Sequence, residues 1–275
     1  MTYLVVMVAG MSSRFGGKPK QMAKVGPNDM TLIEYSIKQA LNANFSKIIF
    51  ITNPKTENLF INIFGSKYNN IDVYYKQQEY STETRSRPWG TGDAIGSLYP
   101  FFKNNNFNDN FIMINGDDIY GEKTFIEGFE LLNKVNLETS IIGGLKLIDT
   151  LPETGKVNRG VVFIKDNTVI GMKEVLGIDV NNKEQINELG NMIANVNFIG
   201  LQNEALKGIW ELNEDFKQNN KNDMKIESLL PDHINKMIVS SDFKFKMNYF
   251  IIKNKIIGIT NPGDEIKVKQ IINTI

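Results

Sequence analysis

Three stretches of the 275-residue chain carry residue types and spacings suited to phosphate chemistry. The first follows the apolar run Tyr3–Ala9 and reads Gly10-Met11-Ser12-Ser13-Arg14-Phe15-Gly16-Gly17-Lys18-Pro19-Lys20-Gln21. Glycines and serines let backbone N–H groups approach a phosphate, and Arg14, Lys18 and Lys20 supply the opposite charge. The bland reading is a basic surface loop. A P-loop is excluded, because Gly16-Gly17-Lys18 is followed by Pro19 at the wrong spacing from Gly10. The dinucleotide fingerprint fails as well, at Ser12 and Arg14-Phe15. The second stretch is Gly116-Asp117-Asp118, where carboxylate oxygens could hold Mg²⁺ against a phosphate, although most Gly-Asp pairs are turns or caps. In the third, Gly90 and Gly92 flank Thr91 ahead of a helical stretch, Asp93–Lys103. A glycine-rich helix start admits a flat or anionic ligand, and equally serves as a tight turn.

The elements that would position these groups alternate. Apolar runs at Tyr3–Ala9, Lys47–Thr52, Ile71–Tyr75 and Asn110–Asn115 read as buried strands. Between them, Thr31 and Glu34 form a capping box ahead of Ile33, Ile37, Ala40 and Leu41 at helical spacing, and Lys55–Gly65 reads as the next helix. This β-α-β-α-β rhythm predicts an α/β fold with a mostly parallel sheet flanked by helices. In such sheets ligands bind outside the carboxyl ends of the strands, where the first loop and Asp117 both fall.

From Lys123 the pattern becomes mixed. We expect a helix at Phe125–Lys134 and strands at Thr139–Ile148, Val157–Lys165, Val169–Val175 and Val196–Gly200, with Asp166-Asn167 as a hairpin turn. Helices near Glu204–Lys217 and Ile226–Ile238, strand-like runs in Tyr249–Thr260 and a helix Asp264–Ile275 complete the chain. The expected organisation is one domain, 1–275, with a nucleotide-binding half at about 1–122 and a sugar-binding half at about 123–275.

Lys+Arg and Asp+Glu number 31 each, so no global field favours nucleic acid or an anionic membrane, and neither is expected as a partner. No apolar stretch reaches a membrane span and the start lacks a basic leader, so a cytoplasmic location is expected. With no cysteine and His233 the sole histidine, thiolate, multi-histidine and triad chemistry are set aside, leaving a hard cation such as Mg²⁺ on carboxylate oxygen. The oligomeric state is left open, a homo-oligomer included.

Together these segments resemble the sugar-1-phosphate nucleotidyltransferases, or nucleotide-sugar pyrophosphorylases. The family's opening motif is met by Val8-Ala9-Gly10-Met11-Ser12-Ser13-Arg14 with Pro19-Lys20, Ser12 standing where glycine is usual. Trp89-Gly90-Thr91-Gly92-Asp93-Ala94 is similar to the L-G-T-G-H-A segment of the uridylyltransferases, including the N-acetylglucosamine-1-phosphate type, with Asp93 replacing histidine. Gly116-Asp117 is similar to the metal-binding G-D, and Asn158-Arg159-Gly160-Val161 with Lys173-Glu174 to the sugar-contacting segments, without the lysine that often follows the glutamate. No left-handed β-helix repeat follows, so no acetyltransferase half is expected.

The resemblance implies a Rossmann-like, GT-A-like nucleotidyltransferase fold with a sugar-binding lobe in the second half. It also implies Mg²⁺-dependent transfer of a nucleotidyl group from a nucleoside triphosphate, UTP favoured, to a sugar-1-phosphate. Arg14, Lys20 and Asp117 would be catalytic, and Ala9, Gly10, Met11, Ser12, Ser13, Gln78, Gly90 and Thr91 would bind the nucleotide. Gln77 is as eligible as Gln78, since a one-residue slip reverses the face. Gly160, Glu174 and Asn197 would contact the sugar, and Asp117 with Asp264 the metal; Asp264 also reads as a helix N-cap. Lys18 reads as solvated charge, Trp89 as packing and His233 as a helix-surface residue, while Arg85 and Arg87 could steer an anion or simply sit at the surface. Competing readings are transfer to another phosphorylated alcohol (phosphocholine or an alditol phosphate) and a non-catalytic nucleotide-sugar sensor. A glycosyltransferase would need a D-x-D motif that Asp117-Asp118-Ile119 does not supply.

Overall fold

A computed structural model describes residues 1–10, 19–153, 155–166, 168–259 and 263–274. Two compact units are formed, one from 1–79, 111–130 and 254–275, the other from 80–110 and 131–253. Each unit draws on separate stretches of the chain, and within the first the C-terminal segment packs with residues near the start.

In the first unit, β1 (Thr2–Met7), β2 (Lys47–Thr52), β3 (Lys67–Tyr68), β4 (Ile71–Gln77) and β5 (Asn110–Asn115) lie in the order β3-β4-β2-β1-β5. The pairings of β1 with β2 and of β2 with β4 are parallel, with Val5 opposite Ile49 and Ile49 opposite Tyr74. β1, β2 and β5 are buried almost end to end, which is why their sequences are continuous apolar runs rather than alternating ones. Helix α1 (Leu32–Ala40) begins with the expected capping box: Thr31 Oγ1 accepts from the Glu34 N–H, and Glu34 Oε2 accepts from the Thr31 N–H at 2.9 Å. Helix α2 (Glu57–Phe64) sets Phe60 and Phe64 against Phe50, whose ring also stacks on Tyr75 at 5.7 Å. A second apolar cluster joins Val25 and Leu32 to Ile119, Ile257, Ile259 and Val268. It is built by the antiparallel pair β6 (Asp118–Ile119) and β12 (Ile257–Gly258) and by the last helix, α9 (Asp264–Ile272).

The second unit begins with α3 (Thr91–Gly96) and α4 (Leu98–Asn105), where one helix was expected. Pro100 explains the break, since it has no N–H to give the Gly96 carbonyl and its ring crowds that oxygen. Strands β7 (Thr139–Lys146), β8 (Lys156–Lys165), β9 (Thr168–Asp179), β10 (Ile193–Leu201) and β11 (Lys246–Ile251) pair in the order β10-β7-β11-β9-β8. β8 also pairs with β10, so the ladder returns on itself around Leu147, Val161, Ile178, Leu189 and Ala194. Helix α5 (Glu122–Lys134) leads into β7, and helices α6 (Lys183–Leu189), α7 (Asn203–Asn219) and α8 (Leu230–Val239) follow. Helix α8 starts four residues later than expected, with Pro231 in its first turn, where a missing N–H costs nothing. The hairpin between β8 and β9 turns through Asp166 at φ 48°, while Asn167 lies outside the described residues.

Candidate active site

Lys20 and Asp117 meet as an ion pair in the first unit. Lys20 opens a short 3₁₀ turn, Lys20–Met22, whose following residues deliver the chain to α1 through an Ala23 carbonyl that accepts from Leu32 N–H at 2.8 Å. Asp117 is set by Gly116, whose N–H donates to the Met7 carbonyl at the end of β1 (3.0 Å). A Cβ at Gly116 would collide with Val8 Cγ1 and lie 3.1 Å from that carbonyl, so only glycine lets the end of β5 come this close to β1. On the far side, the Asp117 carbonyl accepts from Ile259 N–H. Both charged side chains keep about a fifth to a quarter of their surface exposed, at 24% for Lys20 and 20% for Asp117. The pair is fixed in place yet reachable by a ligand.

Asp118 has a different job. Asn115 Nδ2 donates to its carboxylate at 2.9 Å, Tyr120 adds a hydrogen bond, and Ser36 Oγ donates to its carbonyl. Burial and the neighbouring Asp117 charge push the Asp118 carboxyl up to about 7, against the pull of Asn115, Lys20 and Tyr120. Asp118 is thus a buried, hydrogen-bonded carboxyl that favours its neutral form, while the Lys20 ammonium pairs with Asp117.

The structure separates Gln77 from Gln78. Gln77 donates to Glu57 Oε1 on α2 at 2.8 Å, and Glu57 also accepts from Thr52 Oγ1. Gln78 lies one residue past β4 and is buried, its N–H donating to the Thr52 carbonyl. Asn53, which sequence reasoning missed, donates from Nδ2 to the Ala9 carbonyl and accepts at Oδ1 from Lys55 and Thr56 N–H. It thereby ties the end of β1 to the start of α2; its position one residue past a buried strand was the only available signal. Asp264 is the first residue of α9, not its cap: Gly263 holds the N-cap position at φ 97°. Ala9 and Gly10 lie directly beyond β1, and a Cβ at Gly10 would meet nothing within 4 Å. Met11, Ser12, Ser13, Arg14 and Lys18 lie outside the described residues.

In the second unit, Gly90-Thr91-Gly92 is stapled to the chain leading into α8. Gly92 N–H donates to the Ser228 carbonyl (2.8 Å), Ser228 N–H to the Trp89 carbonyl, and Leu230 N–H to Thr91 Oγ1 (3.0 Å). Gly90 sits at φ 105° with its missing Cβ 2.6 Å from the Ser228 carbonyl oxygen, and a Cβ at Gly92 would meet the His233 ring at 2.7 Å. These glycines have a packing explanation, so the lean towards UTP rests on the motif resemblance. Two expectations are corrected. His233 is 1% exposed rather than on a helix surface, and burial with Lys236 nearby pulls its imidazole down to about 4. Arg85 is 2% exposed and steers nothing: it stacks on Trp89 and donates to the carbonyls of Arg87, Asp223 and Ile226. Its guanidinium satisfies a loop 138–141 residues away in sequence. Arg87 is at the surface beside Glu227.

Gly160 and Glu174 are directly opposite one another across β8 and β9. Asn195 joins them, its Cβ 3.3 Å from where a Gly160 Cβ would lie. Asn197 sits at φ 56° in the register shift between Asn195 and Phe198, and Asn195 Nδ2 donates to its Oδ1. The bulge re-aims the strand there. Asn195 is thus the sequence neighbour that the motif comparison passed over.

A mostly parallel sheet with a charged pair at its strand ends places the chain among the α/β proteins that take ligands at that edge. The family model of the nucleotidyl transferases matches residues 5–155, and the chain belongs to that family. Solved structures share the fold. A Bacillus anthracis protein assigned as a glucose-1-phosphate thymidylyltransferase aligns at TM-score 0.70 and 14% identity over 100% of this chain and 96% of its own. A UDP-glucose pyrophosphorylase complexed with UDP-glucose aligns at 0.66 and 17% over 100% and 99%. An inositol-1-phosphate CTP transferase from T. maritima aligns at 0.63 and 13% over 98% and 94%. Comparison with curated proteins gives no match. Among the described residues, no helix is long and apolar enough to cross a membrane.

Proposed function

We propose that this nucleotidyltransferase moves the nucleotidyl group of a nucleoside triphosphate, UTP favoured, onto a sugar-1-phosphate. A phosphate oxygen of the sugar phosphate attacks the α-phosphorus in line, the α–β bridging bond breaks, and pyrophosphate leaves with the bond's electrons. Such transfer asks the protein for positioning and charge neutralisation rather than covalent participation.

The observation that carries this reading is the Lys20–Asp117 pair, held by Gly116 at the ends of β1 and β5. Two anions must approach one another, and an ammonium between them offsets roughly 4 kcal/mol per unit charge pair about 4 Å apart at an effective dielectric of about 20, before desolvation. Lys20 is assigned to the α-phosphate and the attacking phosphate, and Arg14 to the departing pyrophosphate. Ala9, Gly10, Met11, Ser12 and Ser13 would cradle the triphosphate, with Gln78, Gly90 and Thr91 directed to the base. Gly160, Glu174 and Asn197 would take sugar hydroxyls. Fixed hydrogen bonds around Asn197 and the Gly160–Glu174 pair support the last assignment.

The donors at Asp117 fit Mg²⁺: they are hard carboxylate oxygens on a side chain that keeps 20% of its surface exposed. Asp117 and Asp264 would hold the ion. Mg²⁺ bound there supplies Lewis-acid neutralisation of the phosphate oxygens.

The neighbour acting on inositol-1-phosphate keeps a second reading alive, transfer to another phosphorylated alcohol such as phosphocholine or an alditol phosphate. Pyrophosphate release should be measured with each of the four NTPs against sugar-1-phosphates and phosphorylated alcohols. Turnover confined to the sugar-1-phosphates is the expected result; turnover only with the alcohols transfers the reading to them, and nucleotide-sugar binding without turnover makes the protein a sensor.

A further inference from the structure

In the first unit, Asn53 is held at both ends of its amide. Its Oδ1 accepts from the N–H groups of Lys55 (3.0 Å) and Thr56 (3.1 Å), and its Nδ2 donates to the Ala9 carbonyl at 3.1 Å. The two backbone donors fix which end of the amide is oxygen, so the group facing Ala9 is the NH₂. That carbonyl lies beyond the bonds that tie the end of β1 to its neighbours. These are Val8 N–H to the Ile51 carbonyl (2.9 Å) on the β2 side and Gly116 N–H to the Met7 carbonyl (3.0 Å) on the β5 side. Past them, a side chain takes over from the ladder. Ala9 is 7% exposed, and a carbonyl buried there needs such a donor.

A trans peptide sets its C=O and N–H in opposite directions, so the bond from Asn53 also aims the Gly10 N–H. In the sheet, β1 lies between β2 and β5. Asn53 follows the end of β2, and the Asp117–Lys20 pair lies past the end of β5. With the Ala9 carbonyl drawn towards Asn53, the Gly10 N–H is directed to the β5 side, where the Lys20 ammonium stands. Gly10 is exposed, and a Cβ there would meet nothing within 4 Å. Glycine's φ is permissive, so an untethered Ala9–Gly10 peptide can turn over and present its oxygen to an anion instead. We infer that Asn53 is a positioning residue for the nucleoside triphosphate, acting through the Ala9 carbonyl to present the Gly10 N–H to a phosphate oxygen. The inference rests on the nucleotidyl-transfer reading above. A donor fixed before the ligand arrives needs no ordering on binding, and the hydrogen bond at the carbonyl polarises the same peptide and strengthens its N–H.

The test reads the Gly10 amide resonance and the nucleotide affinity of the full chain, with Mg²⁺ and whichever of the four NTPs the parent turns over. In the parent, that NTP should move the Gly10 ¹H–¹⁵N resonance downfield and saturably. Asn53→Ser keeps one oxygen for the Lys55 and Thr56 N–H groups, adds no charge, and cannot hold Ala9 at the same time. It should weaken the NTP about tenfold or more, abolish the downfield shift and leave KM for the sugar-1-phosphate unchanged. Phe60→Leu, a packing change on α2 that leaves the Asn53 amide intact, should lower stability without altering NTP affinity. Equal NTP affinity in the parent and Asn53→Ser, an unmoved Gly10 resonance in the parent, or equal weakening by Phe60→Leu would each overturn the positioning role. If Asn53→Ser does not fold, the parent's Gly10 resonance decides. A parent that turns over no NTP overturns the nucleotidyl-transfer reading itself, and this inference with it.

Discussion

The Asp117 carboxylate reaches the Lys20 ammonium from a turn that exists because Gly116 has no side chain to strike Val8. The ion pair and the glycine are one device: the strand ends must approach before the charges can meet. A partly exposed pair contributes little to stability, about 0–1 kcal/mol, so its presence calls for a role beyond holding the fold. Lys20→Ala and Asp117→Asn should each lower kcat about 10²–10³-fold while moving the melting temperature by no more than a few degrees. Steady-state pyrophosphate release and thermal unfolding on the same samples check this. A variant that turns over normally, or that unfolds, loses its assigned role.

Gly116→Ala should destabilise by about 1–3 kcal/mol through overpacking against Val8 and the Met7 carbonyl, and should lower activity with it. The first obstruction is a side-chain methyl, so Val8→Ala in the same chain should return part of that loss. A urea-unfolding double-mutant cycle measures the coupling. Strict additivity would mean that the close approach is not what Gly116 provides.

Continuous burial made β1, β2 and β5 legible, since a strand covered on both faces must be apolar throughout, and the Thr31–Glu34 box marked α1 through local hydrogen bonds alone. Arg85 and His233 were misread for the opposite reason. Their burial depends on partners mostly remote in sequence: the Asp223 and Ile226 carbonyls for Arg85, and for His233 a chain that runs from nearby Ser228 through Asn213 to Asp93. No local window of residues reaches from Arg85 to Asp223 and Ile226, or from His233 to Asp93. The Gly90-Thr91-Gly92 motif was visible, but its packing against Ser228 was not.

Arg85 offers the direct check on that lesson. Arg85→Lys keeps the charge but cannot span three carbonyls or stack on Trp89, so it should cost about 2 kcal/mol or more in urea unfolding. Arg87→Ala, at the surface, should stay within about 0.5 kcal/mol. Equal effects would contradict the buried-anchor role.

Two groups should oppose one another in the pH dependence of stability. His233 falls to about 4 in the folded chain from an ordinary 6.5, so its contribution is complete above about pH 6.5 and is lost as pH falls towards 4. Asp118 rises from 3.8 to about 7, so its contribution is complete below about pH 4 and is lost as pH rises through 7. In metal-free buffer, His233→Gln should therefore make stability fall with rising pH between 4 and 7 relative to the parent. Asp118→Asn should make it rise. Unfolding free energies at half-unit pH steps give the slopes, and identical slopes in all three proteins would refute both assignments.

The most direct measurement follows the α-phosphate itself. With α-³²P-labelled NTPs, a sugar-1-phosphate and Mg²⁺, the label should pass from UTP into a nucleoside-diphosphate sugar, with one pyrophosphate released per label transferred. Label that remains in the triphosphate with every base and acceptor, or that appears only in a nucleoside monophosphate, would contradict nucleotidyl transfer to a sugar phosphate as the work of this site.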